Sequence, residues 1–327
     1  MPYIVTVPQL AARFSVGNDE TIVEAATSQG IAFPFSCQSG TCGTCKSKLI
    51  AGKVSLLDYS KFTLTDQERA SGMILACCAI PESDCELVLA PQATLIQAKR
   101  IVCRIAAIRD ATHDIKIVQL AFPGNVPPQF LAGQYGDLSF GDLPKRSYSM
   151  ASRPDEVLLD FHVRLTPGGA VSTALHQTVA PGDEVTFYGP LGTSYLRDDH
   201  QGPVLAIAGG SGLGPVKSII DTLTRRTDIP PIHFYFGVRD ERDLYYAEYF
   251  RALERDVAGF RFIPVLSASS TPAGYRRGYL ADVIAEDFTD LTGFKAYLAG
   301  PPIMVETCLE VIQSRGLAAA DCHADAF

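Results

Sequence analysis

Three cysteines, Cys37, Cys42 and Cys45, fall within the stretch "CQSGTCGTC". The C-x4-C-x2-C spacing suits a loop that wraps a [2Fe–2S] cluster in thiolates. Small residues between them (Ser39, Gly40, Thr41, Gly43 and Thr44) let backbone N–H groups approach the sulfurs. Structural zinc usually takes paired C-x2-C units, and only one such pair is present here. A fourth thiolate must come from further along, and Cys77, Cys78 and Cys85 in "ILACCAIPESDCEL" compete for the part. If that segment is extended, Cys77 and Cys78 point to opposite faces, and Cys78 is then a buried neighbour.

Two further stretches suit phosphate and flat heterocycles. In "RSYSMAS" the Arg146 guanidinium can fork onto a phosphate and the Tyr148 ring can stack on a ring system. "HVRLTPGGAVSTAL" brings His162, Val163 and Arg164 to the Gly168-Gly169 pair and a helix start that includes Val171 and Ser172. A helix N-terminus offers unpaired N–H groups to an anion; for His162 a structural role competes with a ligand role. "AIAGGSGLGP" reads as a strand, a glycine turn and a helix, with Gly210, Ser211, Gly212 and Pro215 at the turn. It lacks the G-x-G-x-x-G spacing of the two-domain dehydrogenases. In "FGVRDERDLYY" Arg239 could bind a ribose 2′-phosphate, but Asp240, Glu241 and Asp243 would repel one and could accept from a ribose hydroxyl. NADH is therefore expected over NADPH.

These groups must be positioned by more than one domain, since 327 residues exceed an ordinary single domain. Residues 1–92 read as a small strand-rich unit with one helix. From 97 to 200, evenly spaced short strands predict an antiparallel barrel. From 201 to 327, strands alternate with helices, which predicts a parallel sheet with helices on both faces. The fold class is thus multidomain, α+β followed by α/β. A net charge of −8 without a basic block argues against nucleic acid. Apolar runs are too short to span a bilayer, and the N-terminus lacks a signal-peptide pattern, so a cytoplasmic protein is expected. Nine cysteines, an odd count with six between 37 and 85, argue for metal binding over a disulfide framework.

Residues 1–90 resemble a plant-type ferredoxin, a β-grasp domain in which the last ligand follows a short apolar stretch; this implies Cys77 as the fourth ligand. "RSYS", the preceding "AGQYGDLSF" and the later "AIAGGSGLGP" resemble the ferredoxin–NADP reductase superfamily, with an FAD-binding barrel and an NAD-binding domain. By that resemblance Arg146 pairs with the FAD pyrophosphate, with Ser147 beside it. Tyr148 packs on the flavin or ribose, Ser149 lies near flavin N5, and Gly168, Gly169 and Ser172 receive the flavin phosphates. "LAGPPIM" resembles the family's C-G-x-P-x-M turn near the nicotinamide, here Gly300 and Pro301, with Ala299 in place of the usual cysteine. Phe327 is implied as an aromatic cover over the flavin face; a frayed terminus is the alternative.

The whole order is similar to the reductases of Rieske-type aromatic-ring-hydroxylating oxygenases, nearest the naphthalene-dioxygenase group. That family implies electrons passing from NADH through FAD and the cluster to a Rieske-type oxygenase or a separate ferredoxin, from a monomeric reductase. Rival readings are a reductase of a diiron monooxygenase or sugar-deoxygenation enzyme, and a non-catalytic redox sensor.

Overall fold

The computed structural model describes residues 2–31, 33–35, 38, 40, 43–61, 63–89, 96–268 and 274–327. The chain separates into two compact units, residues 1–95 and residues 96–325. No helix among the described residues is long and apolar enough to cross a membrane.

The first unit opens with a hairpin, β1 (Tyr3–Val7) antiparallel to β2 (Ala12–Val16). Helix α1 (Ile22–Ser28) starts at Thr21, whose hydroxyl accepts from the Glu24 N–H while the Glu24 carboxylate accepts from the Thr21 N–H. This reciprocal cap satisfies two donors that a helix end leaves orphaned. Ile22, Val23, Ala25 and Ala26 of α1 are buried against Val5, Val7, Phe14 and Val16. Burying a Val or Ile side chain stabilises the fold by about 1.5–3 kcal/mol.

Beyond α1 come β3 (Lys46–Ala51), β4 (Val54–Leu56), α2 (Asp66–Ala70), β5 (Met73–Leu75), β6 (Ala79–Pro81) and β7 (Cys85–Leu89). The main sheet runs β2-β1-β7-β3-β5, with β1 and β7 parallel at its centre, and β4 pairs with β6 separately. A helix packed across a mixed sheet of this order is the β-grasp arrangement. Residues 90–95, between this unit and the next, lie outside the described residues.

The expected antiparallel strands form: β8 (Lys99–Asp110), β9 (Ile115–Ala121), β10 (Tyr135–Ser139), β11 (Arg146–Ser149), β12 (Leu158–Arg164) and β13 (Glu184–Leu191). Their order is β11-β10-β13-β8-β9-β12, antiparallel in each assigned pairing. The two end strands meet at one bridge, Met150 with Phe161, extended by the Ala151 N–H to the Asp160 carbonyl. Beyond that bridge no ladder joins residues 146–149 to residues 162–164 among the described residues. The barrel is zipped on one side of Met150 and open on the other. Helix α3 (Ala170–Gln177) follows β12 and buries Val171 and Leu175 in the barrel core.

The remaining elements are β14 (Val204–Gly209), α4 (Leu213–Leu223), β15 (Ile232–Val238), α5 (Ala247–Asp256), β16 (Phe260–Leu266), β17 (Arg276–Arg277), α6 (Leu280–Asp287), β18 (Lys295–Gly300), α7 (Pro302–Ser314) and β19 (Cys322–Ala326). The sheet order is β17-β16-β15-β14-β18-β19, with β14 to β18 parallel in every assigned pair. The chain runs outward from β14 through β15 and β16, then returns to place β18 on the other side. A ligand crevice forms at such a reversal, outside the carboxyl ends of the strands. Phe234, Phe250 and Phe262 pack ring against ring between the sheet and α5.

Candidate functional site

Cys37 and Cys42 lie outside the described residues. Cys45 and Cys77 are both buried, and their sulfurs are 3.2 Å apart. The Cys77 backbone N–H also donates to the Cys45 sulfur at 3.4 Å. Two converging thiols with an N–H aimed at one of them suit a pair of cluster ligands. One expectation needs correction: residues 76–78 are not extended. They form a turn closed by the Cys78 N–H on the Leu75 carbonyl, and the Cys78 sulfur lies 3.7 Å from that of Cys77, on the same side. Cys85 sits on β7, its thiol on the Ser83 and Lys53 carbonyls.

The open stretch of the barrel carries the residues expected at the flavin. On β11, Arg146 is exposed and donates to the Lys145 carbonyl at 3.0 Å, with no carboxylate partner among the described residues. Ser147 donates to Asp137, which also holds Lys145. Burial pushes the Tyr148 phenol up to about 12, so the ring is an uncharged, half-buried plate. Ser149 is half-buried opposite Tyr135. Across the opening, His162 and Val163 are buried, and the Val163 carbonyl lies 3.2 Å from Nε2 of His176. Arg164 is held by Asp114 at 2.9 Å.

Helix α3 starts at Gly169, which supplies no side-chain cap. The Ser172 hydroxyl is spent within the turn, accepting from the Thr166 N–H and donating to the Gly169 carbonyl. The first-turn N–H groups therefore stay available to an anion. An unladdered strand edge, an arginine without a carboxylate and an uncapped helix start fit a flavin nucleotide.

At the carboxyl end of the parallel sheet, Arg164, Gly210, Arg239, Asp243, Tyr279, Pro301 and Met304 help line a cleft of about 210 Å³. Two glycines of the turn serve different ends. Gly210 has φ +55°, a left-handed conformation costly to a side chain, whereas a Cβ on Gly212 would collide with the Ala299 carbonyl. Ser211 is half-buried in this turn, and Pro215 is buried within α4. Asp243 accepts from the Asp240 N–H, closing its own turn, and its other oxygen is 3.4 Å from His113. Arg239 is exposed, 4.0 Å from Asp240. The Phe327 N–H donates to the Gly300 carbonyl at 3.1 Å, which holds its backbone at the end of β18 while the ring is exposed.

Barrel and parallel sheet are tied by Tyr245, Ser218 and Ser152, which the sequence did not flag. The Tyr245 hydroxyl is 2.9 Å from Nδ1 of His162 and 3.3 Å from the Gly210 carbonyl. Nearby, Ser218 of α4 donates to the Ser152 carbonyl at 2.6 Å. Burial, then the charges of Lys217 and Arg109, hold the His162 imidazole neutral with its pKa lowered to about 3.

Comparison with known proteins follows the same division. A 2Fe-2S iron-sulfur cluster binding domain matches residues 5–82, an oxidoreductase FAD-binding domain residues 102–195, and an oxidoreductase NAD-binding domain residues 206–310. The ferredoxin–NAD(P)+ reductase component of a naphthalene 1,2-dioxygenase system from Pseudomonas putida is 36% identical over 96% of this chain and 94% of its own length. The chain belongs to the iron–sulfur flavoprotein reductases of multicomponent oxygenase systems. The reductase is also 34% identical to the phenol hydroxylase P5 protein of Acinetobacter pittii, over 100% of this chain and 95% of that one. Among solved structures, an Amycolatopsis cytochrome P450 reductase shares 34% identity and superimposes with a TM-score of 0.76, covering 99% of this chain and 98% of the other. A ferredoxin reductase in carbazole 1,9a-dioxygenase gives 0.70 at 28% identity, covering 100% and 98%. The reductase is an oxidoreductase built on a [2Fe–2S] cluster, FAD and a nicotinamide nucleotide.

Proposed function

We propose that the reductase passes electrons from NADH to a Rieske-type aromatic-ring-hydroxylating oxygenase, or to a ferredoxin that serves one. The carrying observation is the alignment of the open barrel stretch with the crevice beyond β14, joined through Tyr245. When bound, the flavin converts a two-electron hydride donor into single-electron steps, and the cluster carries electrons singly. In this reading Arg146 and the α3 N-terminus hold the flavin phosphates, Tyr148 packs on the flavin nucleotide and Ser149 lies near its reacting ring. Cys37, Cys42, Cys45 and Cys77 hold the cluster. Gly210, Ser211, Gly212, Gly300 and Pro301 shape the nicotinamide crevice, and the Phe327 ring covers the flavin face until nicotinamide displaces it.

Asp240 and Asp243 beside the cleft favour a ribose hydroxyl over a 2′-phosphate, so NADH is the proposed donor. A kcat/KM ratio favouring NADPH would overturn that choice. The reductase is further proposed to act as a cytoplasmic monomer.

The P. putida relative favours a dioxygenase partner, whereas the phenol hydroxylase relative favours a monooxygenase. Reconstituted turnover with purified Rieske and diiron oxygenases, NADH and aromatic substrate separates the two. Coupled hydroxylation by the diiron enzyme alone would sink the Rieske assignment.

A further inference from the structure

The turn at residues 76–78 brings two thiols to one place. Cys77 and Cys78 are both buried with sulfurs 3.7 Å apart, and Cys45 lies 3.2 Å beyond Cys77. Cys78 also reaches the cysteine loop itself: a Cβ on Gly40 would sit 2.9 Å from the Cys78 sulfur. Gly40 has φ +71°, and a Cβ there would meet Tyr59 Cβ at 2.6 Å as well as the Cys78 sulfur. Among the described residues, no three thiol, imidazole or carboxylate groups converge as a metal site. The iron–sulfur reading takes one ligand from this turn, and Cys77 and Cys78 both bring a sulfur to it.

We propose that Cys78 is a reserve ligand of the [2Fe–2S] cluster, able to take the position of Cys77; this rests on the iron–sulfur reading of the first unit. A rotation about χ1 moves a cysteine sulfur between staggered positions, and the short separation makes that a local exchange. In the exchange the Fe–S bond to Cys77 breaks and one to Cys78 forms. The proton of the Cys78 thiol passes to the released Cys77 thiolate, and the iron keeps its oxidation state. A lone buried thiol under the loop would serve only packing. Its place beside both Cys77 and Gly40 gives it access to the metal.

The test uses the full chain, reconstituted with iron and sulfide, as wild type, Cys77→Ala, Cys77→Ser and each of these combined with Cys78→Ala. Iron and labile sulfide content, visible absorption and the electron paramagnetic resonance of the reduced protein are read, with circular dichroism as the check on folding. The expected result is a cluster in Cys77→Ala, with a shifted resonance, that disappears in Cys77→Ala/Cys78→Ala. Absence of a cluster in folded Cys77→Ala, or equal retention in the double variant, overturns the proposal. If Cys77→Ala does not fold, the serine pair decides. A Cys77→Ser spectrum that changes on removal of Cys78 supports sulfur ligation, and one that does not change overturns it. Failure of wild type to take up iron would overturn the iron–sulfur reading itself.

Discussion

The hydroxyl of Tyr245 lies 2.9 Å from Nδ1 of His162, and the same oxygen is 3.3 Å from the Gly210 carbonyl. One phenol thereby sets the register between barrel strand β12 and the turn that follows β14. Tyr245→Phe should lose about 1 kcal/mol of stability with this buried hydrogen bond. It should also slow flavin reduction by NADH about tenfold, since a misplacement near 1 Å can cost more than that. Stopped-flow flavin bleaching and a thermal midpoint read the two effects separately. A lowered midpoint with an unchanged rate would leave Tyr245 with packing alone.

His162 carries a pH signature. Its folded pKa is lowered to about 3, by burial first and then by Lys217 and Arg109. An unfolded histidine titrates near pH 6.5, so between these values the unfolded chain binds more protons. The contribution of His162 is complete above about pH 6.5 and is withdrawn as pH falls toward 3. His162→Phe keeps a ring to stack on Tyr246 and removes the titration. The stability gap between wild type and this variant should narrow from pH 7.5 to pH 5.5 in denaturant titrations. A gap independent of pH would contradict the buried neutral imidazole.

Among the described residues, Arg146 of the open barrel stretch has no carboxylate partner. A charge-assisted hydrogen bond contributes about 1.5–3 kcal/mol, so Arg146→Gln should weaken FAD binding by roughly 10–100-fold. Iron content should stay at the wild-type level. Flavin fluorescence titration of deflavinated protein checks the first expectation, and an unchanged Kd would remove Arg146 from the flavin site.

The glycine turn after β14 makes two distinct demands. Gly212→Ala drives a methyl group into the Ala299 carbonyl, which belongs to a sheet strand and cannot rotate away. Overpacking of this kind costs about 1–3 kcal/mol. Gly210→Ala meets no close protein atom but must hold φ +55°, which costs about 1–2 kcal/mol. Refining each variant structure discriminates: strands β14 and β18 should separate in Gly212→Ala and stay in register in Gly210→Ala.

Elements with strong local patterns were legible in the sequence, including the six barrel strands and the strand–glycine–helix unit of β14 and α4. Helix α2 was missed although "TDQE" carries the reciprocal cap between Thr65 and Glu68; five residues are too few to show a period. "LYYAEYF" reads as one helix, yet Tyr246 adopts φ +59° and delays the start of α5 to Ala247. That kink presents Tyr245 to His162, and a tyrosine in the left-handed region has no sequence signature. Cys78 is the buried neighbour that the sequence suggests, but it lies on the side of Cys77 because residues 76–78 form a turn rather than an extended strand.

The open stretch beside Met150 bears on how the protein behaves in the test tube. Among the described residues, 146–149 and 162–164 carry a ladder on one side only, and bare edges template pairing with other chains. Stripping the flavin should therefore cost colloidal stability before it costs fold. Deflavinated protein should scatter more light over hours than replete protein at equal concentration, and added FAD should suppress the difference. In that sense the cofactor doubles as a solubility device for the polypeptide that carries it.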